Sequence, residues 1–299
     1  SLSLSLSLSL SLSLFFLSPF ILFSLFLCFP LAMAGRGARL RVVTYNIAGG
    51  HASYDEAKIA RALAAAEADL IMLQEVFELS AEEQAPAPYV HPGARRTQAH
   101  ALATRLRMSC VFGAAMTMRG REYGVAVLSR HALFDAHTVE LPPGSALRSS
   151  GERMPGANEP RCALAVRVAP EPLDPRLDLW AVSTHLGILN DADAATDAAG
   201  ESARRIAAFV NDGERGGMPA ILGGDLNAGP GSAVLRAFDR NWTCPVAPEP
   251  TARKKTIDHV LWRGRSAWRL VPDSLRVLSD AVTERASDHR PLIAEFAAK

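Results

Sequence analysis

The stretch ILGGDLNAGPGS, residues 221–232, decides the fold of this chain because it places polar groups directly behind an apolar run. Ile221, Leu222 and two glycines lead into Asp225 and Asn227, and the turn-forming run Ala-Gly-Pro-Gly follows. Apolar runs of strand length that end in turn residues are typical of core strands. The stretch therefore predicts a carboxylate and an amide at the end of a sheet.

The bulk composition favours a globular protein with a substantial core. Hydrophobic residues make up 48% of the 299 residues, and the formal net charge is +1. This balance argues against binding nucleic acid through bulk positive charge, although it allows a local basic rim around a phosphate site. The four cysteines are scattered and form no C-x-x-C pair, so we expect reduced thiols rather than a zinc site or a disulfide framework.

Residues 1–32 form a low-complexity leader that is not expected to belong to the folded domain. It consists of a Ser-Leu repeat and a run rich in Phe, Leu, Ser and Pro, the residues that pyrimidine-rich codons encode. The interpretation that we favour is a translated untranslated region with Met33 as the true start, which predicts a cytoplasmic protein. A signal peptide cleaved after Ala32-Met33-Ala34 would instead make the protein secreted, but the segment has no basic n-region. A membrane anchor is the third alternative, so we expect membrane contact only if the leader is real.

From residue 38 to residue 299 the pattern predicts one domain with many strands and few long helices. Two helices are predicted, over residues 54–68 and 191–211, from apolar residues at helical spacing. Strands are predicted over residues 40–47, 70–76, 124–129, 162–168, 177–186, 219–225, 256–262 and 291–296. This order indicates an α/β protein with mixed sheets between helices. Residues 141–160 are predicted to be a long loop inside the domain.

Polar residues recur where the predicted strands end. They are Asn46, Glu75, His185, Asp225, Asn227, Asp258, Asp288 and His289. Carboxylates and amides in this number suit a hard cation such as Mg²⁺, with Mn²⁺ as the alternative. Two histidines without a cysteine fit zinc poorly. A phosphate ester is the natural substrate for such a cation with imidazole and amide groups nearby.

Six short motifs in this order resemble the endonuclease/exonuclease/phosphatase superfamily. They are TYNI (44–47), LQEV (73–76), STHL (183–186), GDLN (224–227), IDHV (257–260) and SDHRP (287–291). The resemblance spans about residues 40–296. It implies a DNase I-like, four-layer α/β sandwich of two packed mixed sheets flanked by helices, with the active site at one end of the sheets.

The resemblance also implies roles around a metal. Glu75 would be the direct metal ligand, with Asn46 beside it at the metal and the scissile phosphate. Asp288 would support the metal directly or through water. Asp225 would orient or deprotonate the attacking water, and Asn227 would help to hold water and phosphate.

The remaining roles concern the two histidines. His289 would contact the phosphate, and Asp258 would fix its ring, as carboxylates commonly orient catalytic imidazoles. His185 would stabilise charge on the phosphate. The sequence leaves open whether Asp225 or His289 takes the proton from the water.

Other polar residues close to the motifs are expected to have different roles. Arg161, just before the strand CALAV, is the candidate for substrate phosphate contact, whereas Arg121, Tyr123 and Arg153 are expected on the solvated surface. His259 neighbours Asp258 on a strand, so alternation points it to the opposite face, where we expect a structural role.

One position departs from the resemblance. Val125 stands where many relatives carry Asn, which bears on the subfamily rather than on activity. Three tryptophans, Trp180, Trp262 and Trp268, are expected in the core because they lie in strand-like runs.

The sequence thus predicts a monomeric Mg²⁺-dependent phosphoesterase that hydrolyses phosphodiesters or phosphomonoesters by water attack. Alternatives are an endonuclease or exonuclease acting on DNA or RNA, a secreted lipid phosphodiesterase if the leader is a signal peptide, and a catalytically silent binding module. A silent module should have lost the metal-binding Glu or the Asp-x-Asn pair, and both are present here. Substrate choice is expected to depend on the loops 141–160 and 190–200.

Overall fold

The apolar runs form two mixed β-sheets, seen in a computed structural model. It describes residues 37–52, 54–79, 96–144, 150, 152, 158–188, 198–212, 216–238, 241–264, 267–280, 283 and 286–299. The strands are β1 (Arg39–Asn46), β2 (Leu70–Phe77), β3 (Ser109–Met118), β4 (Arg121–Ser129), β5 (Ala132–Leu141), β6 (Arg161–Ala169), β7 (Leu179–His185), β8 (Ala220–Asp225), β9 (Asp258–Arg263), β10 (Trp268–Leu270), β11 (Arg276–Val277) and β12 (Leu292–Ala298). The helices are α1 (Glu56–Ala66), α2 (Gln98–Leu106), α3 (Ala198–Asn211) and α4 (Ala233–Ala237), with a 3₁₀ turn at Pro175–Leu177.

Each sheet contains one parallel pair of strands at its centre. The larger sheet has the order β10-β12-β1-β2-β4-β3, with β11 paired to β12, and the smaller sheet has the order β5-β6-β7-β8-β9. Strands β1 and β2 are parallel, as are β7 and β8, and the other pairs are antiparallel. Helix α1 connects the first parallel pair and α3 lies between the strands of the second, as parallel pairing requires a crossover.

The two sheets pack face to face and helices cover their outer faces. Val42 belongs to the apolar cluster between the sheets, whereas its neighbour Val43 packs in the cluster that contains α1 and α2. The third cluster joins the smaller sheet to α3 and α4. Strands covered on both faces read as continuous apolar runs rather than as alternation. The predicted four-layer α/β sandwich is therefore confirmed.

Two glycines of the ILGGD stretch allow the site to form. A Cβ on Gly223 would lie 2.5 Å from Met72 Cε and 2.8 Å from Thr44 Cβ, both in the opposite sheet. A Cβ on Gly224 would lie 2.3 Å from the backbone oxygen of Thr184 in the neighbouring strand. The absence of side chains here lets β8 lie close to β1, β2 and β7. This close approach brings the ends of the two sheets together.

Replacing Gly224 with alanine is expected to destabilise the protein, because a backbone oxygen cannot move aside as a flexible side chain can. Overpacking of this kind costs roughly 1–3 kcal/mol. Denaturant unfolding of Gly224→Ala beside Gly217→Ala measures the effect, since Gly217 is exposed and a Cβ there would meet nothing within 4 Å. Equal stability of the two variants would show that the strands are not in close contact at Gly224.

The first predicted helix is shorter in the structure than in the sequence pattern, and the second ends at Asn211 as predicted. The first begins at Glu56 rather than at residue 54 because Asp55 caps it, its side chain accepting a hydrogen bond from the Lys58 amide at 3.1 Å. The second is described from Ala198, and residues 191–197 lie outside the described residues, as do the leader and Arg153. The helices in the described part of the chain are all too short or too polar to cross a membrane.

Candidate active site

The opening stretch ends in a rigid turn that holds a carboxylate. Asp225 is the last residue of β8 and is 2% exposed. Its Oδ1 accepts a hydrogen bond from the Asn227 amide at 2.9 Å. Asn227 has φ 50°, a left-handed conformation that Asn tolerates better than most residues, and its Nδ2 donates to the Leu186 oxygen at 2.9 Å. The Asp-x-Asn spacing therefore locks Asp225 against the end of β7.

Asn46 joins the two sheets at this point. It is fully buried at the end of β1, and its Nδ2 donates to Glu75 Oε1 at 2.9 Å and to Asp225 Oδ2 at 3.1 Å. Its Oδ1 accepts from the Ala48 amide at 3.0 Å. One amide thus sets the separation between carboxylates that come from different sheets.

Glu75 lies on a bulge in β2. The pairing of β2 with β4 shifts register between Leu73 and Val76, and Glu75 has φ 56°. The backbone oxygen of Glu75 accepts a hydrogen bond from the Gly49 amide at 3.0 Å. A left-handed Glu in a strand is strained by about 1–3 kcal/mol and persists only where its surroundings fix it. The bulge directs the Glu75 carboxylate into the pocket.

A buried polar bridge between the sheets supports this bulge, and the sequence analysis missed it. Ser183 Oγ donates to the Leu73 oxygen at 3.0 Å, and Gln74 Nε2 donates to Ser183 Oγ at 3.2 Å. Thr44 Oγ1 donates to Gln74 Oε1 at 3.3 Å. Ser183, Gln74 and Thr44 are fully buried. The bridge therefore holds the backbone at Leu73, where the regular β2–β4 pairing ends.

Replacing Ser183 with alanine is expected to weaken Mg²⁺ binding by at most about tenfold, the lower end of the range for removing a direct partner of a metal ligand, because Ser183 acts on the backbone two residues before Glu75. Thr184→Val is the matched control, because its buried hydroxyl donates to the Cys162 oxygen at 3.1 Å within its own sheet. Calorimetric titration with Mg²⁺ measures the difference. If both variants lose stability and neither loses metal affinity, the bridge has only a structural role.

His289 lies between two aspartates. Its Nδ1 is 2.9 Å from Asp258 Oδ2, and its Nε2 is 3.6 Å from Asp225 Oδ2. Burial would lower the pKa of His289, but the hydrogen bond and charge of Asp258, with the charges of Asp225 and Asp288, raise this pKa to about 10. Burial and the charge of Asp258 raise the pKa of Asp225 to about 7. Near neutral pH these shifts favour the charged form of His289 and bring the pKa of Asp225 close to neutrality.

His185 is the second imidazole beside the Asp225 carboxylate. Its Nε2 is 3.5 Å from Asp225 Oδ2, and its Nδ1 is 3.3 Å from Arg161 Nη1 and 3.4 Å from the Tyr123 hydroxyl. Burial, with the positive charges of Arg161 and His289, holds the pKa of His185 well below its usual range. His185 is therefore a neutral imidazole, which can form hydrogen bonds but carries no charge.

Arg161 is the first residue of β6 and is 4% exposed. Its Nη2 forms an ion pair with Glu159 at 3.2 Å, and its Nη1 donates to the Tyr123 hydroxyl at 3.4 Å. The surface prediction for Tyr123 is wrong: the ring is 5% exposed and packs in the wall beside His185. Glu159 was missed because it lies in a predicted loop without a strand pattern.

Two groups of side chains could hold a metal: the predicted ligands Glu75 and Asp288, and a trio of residues predicted to be catalytic. Glu75 is partly exposed, whereas Asp288 is half exposed, with its Oδ2 3.5 Å from Arg253 Nη2. Asp225, Asp258 and His289 offer ligand atoms within 4.8 Å of one another. However, Asp258 is completely buried, and both its carboxylate oxygens are within hydrogen-bonding distance of His289 Nδ1. The trio is therefore better explained as a hydrogen-bonded relay from Asp258 through His289 to Asp225. Oxygen donors on Glu75 and Asp288 fit a hard cation at the pocket edge.

A pocket of about 500 Å³ opens onto these groups. It is lined by every predicted site residue except Asn46 and Asp258, which lie behind its wall. The structure therefore brings all nine predicted residues together. Their individual chemical roles remain predictions.

The remaining positions are core residues. Val125, where many relatives carry Asn, is 2% exposed between the sheets. His259 lies on the opposite face from Asp258, with its Nε2 2.7 Å from the Ala228 oxygen, which confirms its structural role. The three tryptophans of the strand-like runs are buried as predicted. In the described part of the chain, the cysteines Cys110, Cys162 and Cys244 are free thiols.

Solved structures resemble this fold at low sequence identity. An endonuclease/exonuclease/phosphatase from Beutenbergia cavernae shares 22% identity with a TM-score of 0.60, covering 87% of this chain and 72% of its own. The human nocturnin catalytic domain with bound sulfate shares 17% identity with a TM-score of 0.62, covering 87% and 95%. ANGEL2, a 2′,3′-cyclic phosphatase, shares 16% identity with a TM-score of 0.57, covering 87% and 95%. These similarities show the shared fold.

The sequence profile of the Endonuclease/Exonuclease/phosphatase family matches residues 43–289, which contain all nine site residues. None of the curated proteins compared with the chain matches it. Members of the family are phosphoesterases and nucleases, hydrolases that act on phosphate esters. The chain belongs to the endonuclease/exonuclease/phosphatase family.

Proposed function

We propose that the protein is a Mg²⁺-dependent phosphoesterase that hydrolyses phosphodiester or phosphomonoester bonds by direct attack of water. One observation carries the proposal: Asn46 holds Glu75 and Asp225 together from two sheets, while two imidazoles lie within 3.6 Å of Asp225. A base, a cationic donor and an oxygen ligand for a metal thus meet at one pocket. Metal-assisted hydrolysis of an anionic ester requires this combination.

Each residue of the site has a separate role in the proposed reaction. Glu75 and Asp288 would hold Mg²⁺, which when bound would polarise the phosphoryl oxygen and reduce the repulsion of the nucleophile. Asp225 accepts the proton of the attacking water, and Asn227 holds that water beside it. Protonated His289, kept charged by Asp258, donates to the phosphoryl group. Neutral His185 adds a hydrogen bond to the same group.

The acceptor role of Asp225 follows from the electrostatics of the trio. A base is most effective when its pKa lies near the working pH, and burial brings Asp225 into that range. His289 cannot accept a proton while it is already charged. The directions of these two pKa shifts favour Asp225 over His289 as the base, a choice that the sequence left open. Among the similar structures, ANGEL2 is described as a 2′,3′-cyclic phosphatase and the nocturnin catalytic domain carries a bound sulfate, which supports phosphate chemistry on this fold.

Replacing Glu75 with glutamine tests the metal-binding role. The Mg²⁺ concentration for half-maximal turnover of an aryl phosphodiester should rise by about tenfold or more. Glu249→Gln is the control, because Glu249 is exposed and does not line the pocket. Labelled single- and double-stranded oligonucleotides are assayed in parallel to identify nuclease activity. Absence of Mg²⁺ binding together with absence of turnover on every substrate would overturn the proposal.

A further inference from the structure

One wall of the pocket leads from the catalytic carboxylate to a pair of arginines. His185 contacts Asp225, and the Tyr123 hydroxyl lies 3.4 Å from His185 Nδ1. The Tyr123 ring packs on Phe77 with centroids 4.8 Å apart, and the Arg121 guanidinium lies 5.3 Å from the Phe77 centroid. All these residues line the same pocket. A substrate that extends along this wall from Asp225 therefore reaches Arg121.

The second arginine lies on the same tight turn. Strands β3 and β4 are joined by Arg119 and Gly120, with φ 52° and φ 76°, and Met118 pairs with Arg121. Two successive positive φ values are typical of a type I′ hairpin turn, where Asn-Gly is the usual pair. A long side chain is uncommon in this conformation. Arg119 nevertheless occupies the first position and lines the pocket, so the turn fixes two cations at its rim.

The wall between Asp225 and the arginines does not provide a stacking surface. Phe77 is 4% exposed, since Arg121 and Tyr123 pack against it. Tyr123 is 5% exposed. Arg161, the third arginine of the pocket, pairs with Glu159 within the wall. Recognition at the far end of the pocket must therefore come from the charges of Arg119 and Arg121 rather than from stacking on a base.

We propose that Arg119 and Arg121 bind a second phosphate group of the substrate while the scissile phosphate lies beside Asp225. This inference rests on the proposed function and names its substrate class: a small molecule that carries two phosphates. Guanidinium groups match phosphate oxygens with paired hydrogen bonds, better than a single point charge does. A pocket of about 500 Å³ has the size of a small-molecule site rather than of a duplex groove.

Calorimetric binding of paired probes tests the inference on the full chain. One pair is adenosine 3′-monophosphate and adenosine 3′,5′-bisphosphate, and the other is inositol 1-phosphate and inositol 1,4-bisphosphate. The titrations use Ca²⁺, which takes oxygen ligands like Mg²⁺ but with looser geometry. In at least one pair, the wild type should bind the bisphosphate roughly tenfold to a hundredfold more tightly than the monophosphate. The pair with the larger ratio identifies the molecule that carries the phosphates.

Variants assign the difference to the hairpin turn. Arg119→Asn suits the left-handed backbone but removes the charge, and it should reduce the ratio by about tenfold, with Arg119→Lys restoring part of it. Arg121→Gln should act in the same direction. Arg107→Asn is the matched control, because Arg107 is exposed, has φ 56° and does not line the pocket.

The outcomes separate this inference from the proposed function. Tight binding of monophosphates without a bisphosphate preference, or a preference that survives both Arg119→Asn and Arg121→Gln, overturns the inference alone. If neither pair binds and no phosphate ester is turned over, the proposed function and the inference fall together.

Discussion

Replacing Asp225 with asparagine is expected to lower kcat by about 10³-fold while leaving the fold intact. The substitution keeps an oxygen for the Asn227 amide, 2.9 Å from Asp225 Oδ1, but removes the group that accepts the proton of the water. Loss of a general base costs roughly 10²- to 10⁴-fold in rate. Turnover of an aryl phosphodiester at saturating Mg²⁺ measures the effect. A variant that keeps a tenth of wild-type kcat would show that Asp225 is not the base.

The same variant loses the hydrogen bond that Asn46 Nδ2 donates to Asp225 Oδ2, but its stability relative to the wild type should increase as the pH rises. The folded-state pKa of Asp225 is raised to about 7, so its ionised form is disfavoured in the folded protein. The resulting destabilisation grows as the pH rises from the unfolded-state pKa towards 7 and is absent below that unfolded value. Without metal, the Tm of Asp225→Asn relative to the wild-type Tm should therefore rise between about pH 4 and about pH 8.

Asp178 provides the contrasting control. It is 5% exposed, like Asp225, but its Oδ2 accepts from Arg167 Nη2 at 2.7 Å, outside the pocket. Asp178→Asn removes the charge that accepts two hydrogen bonds from Arg167, so it should lower Tm and leave kcat unchanged. If Asp225→Asn lowers Tm as Asp178→Asn does, its loss of activity has a structural explanation.

The strand ends were predictable because each combines a local apolar run with a polar residue that ends it. Asn46 and Glu75 end or follow apolar runs in the first parallel pair, and His185 and Asp225 do so in the second. The carboxyl ends of parallel strands lie on one edge of a sheet, so these positions converge once the sheets pack. Their convergence also requires Gly223, because a side chain there would keep the two sheets apart. The strand pattern does not predict at which position a side chain must be absent.

The elements missed by sequence analysis lack such local signals. Strand β5 is an edge strand that is largely exposed, and its alternation is broken at Asp135, where φ is 42° and the pairing with β6 shifts register. The bulge at Glu75 arises from the pairing of β2 with β4 within one sheet, and the bridge from Ser183 to Leu73 joins the two sheets. Both depend on contacts between residues far apart in the sequence, more than a hundred positions in the case of the bridge, which periodicity along the chain does not report.

Replacing Asp258 with asparagine should move the whole pH profile of kcat/KM to lower pH and reduce the maximum by about 10²-fold. The rising limb reports deprotonation of Asp225 and the falling limb reports deprotonation of His289. The charge of Asp258 raises both the pKa of Asp225 and the pKa of His289, so its removal lowers both pKa values. In Asp288→Asn only the falling limb should move, because the charge of Asp288 raises the pKa of His289. Profiles from about pH 5 to about pH 10 at saturating Mg²⁺ measure both limbs, and a shift of Asp258→Asn towards alkaline pH would contradict the relay.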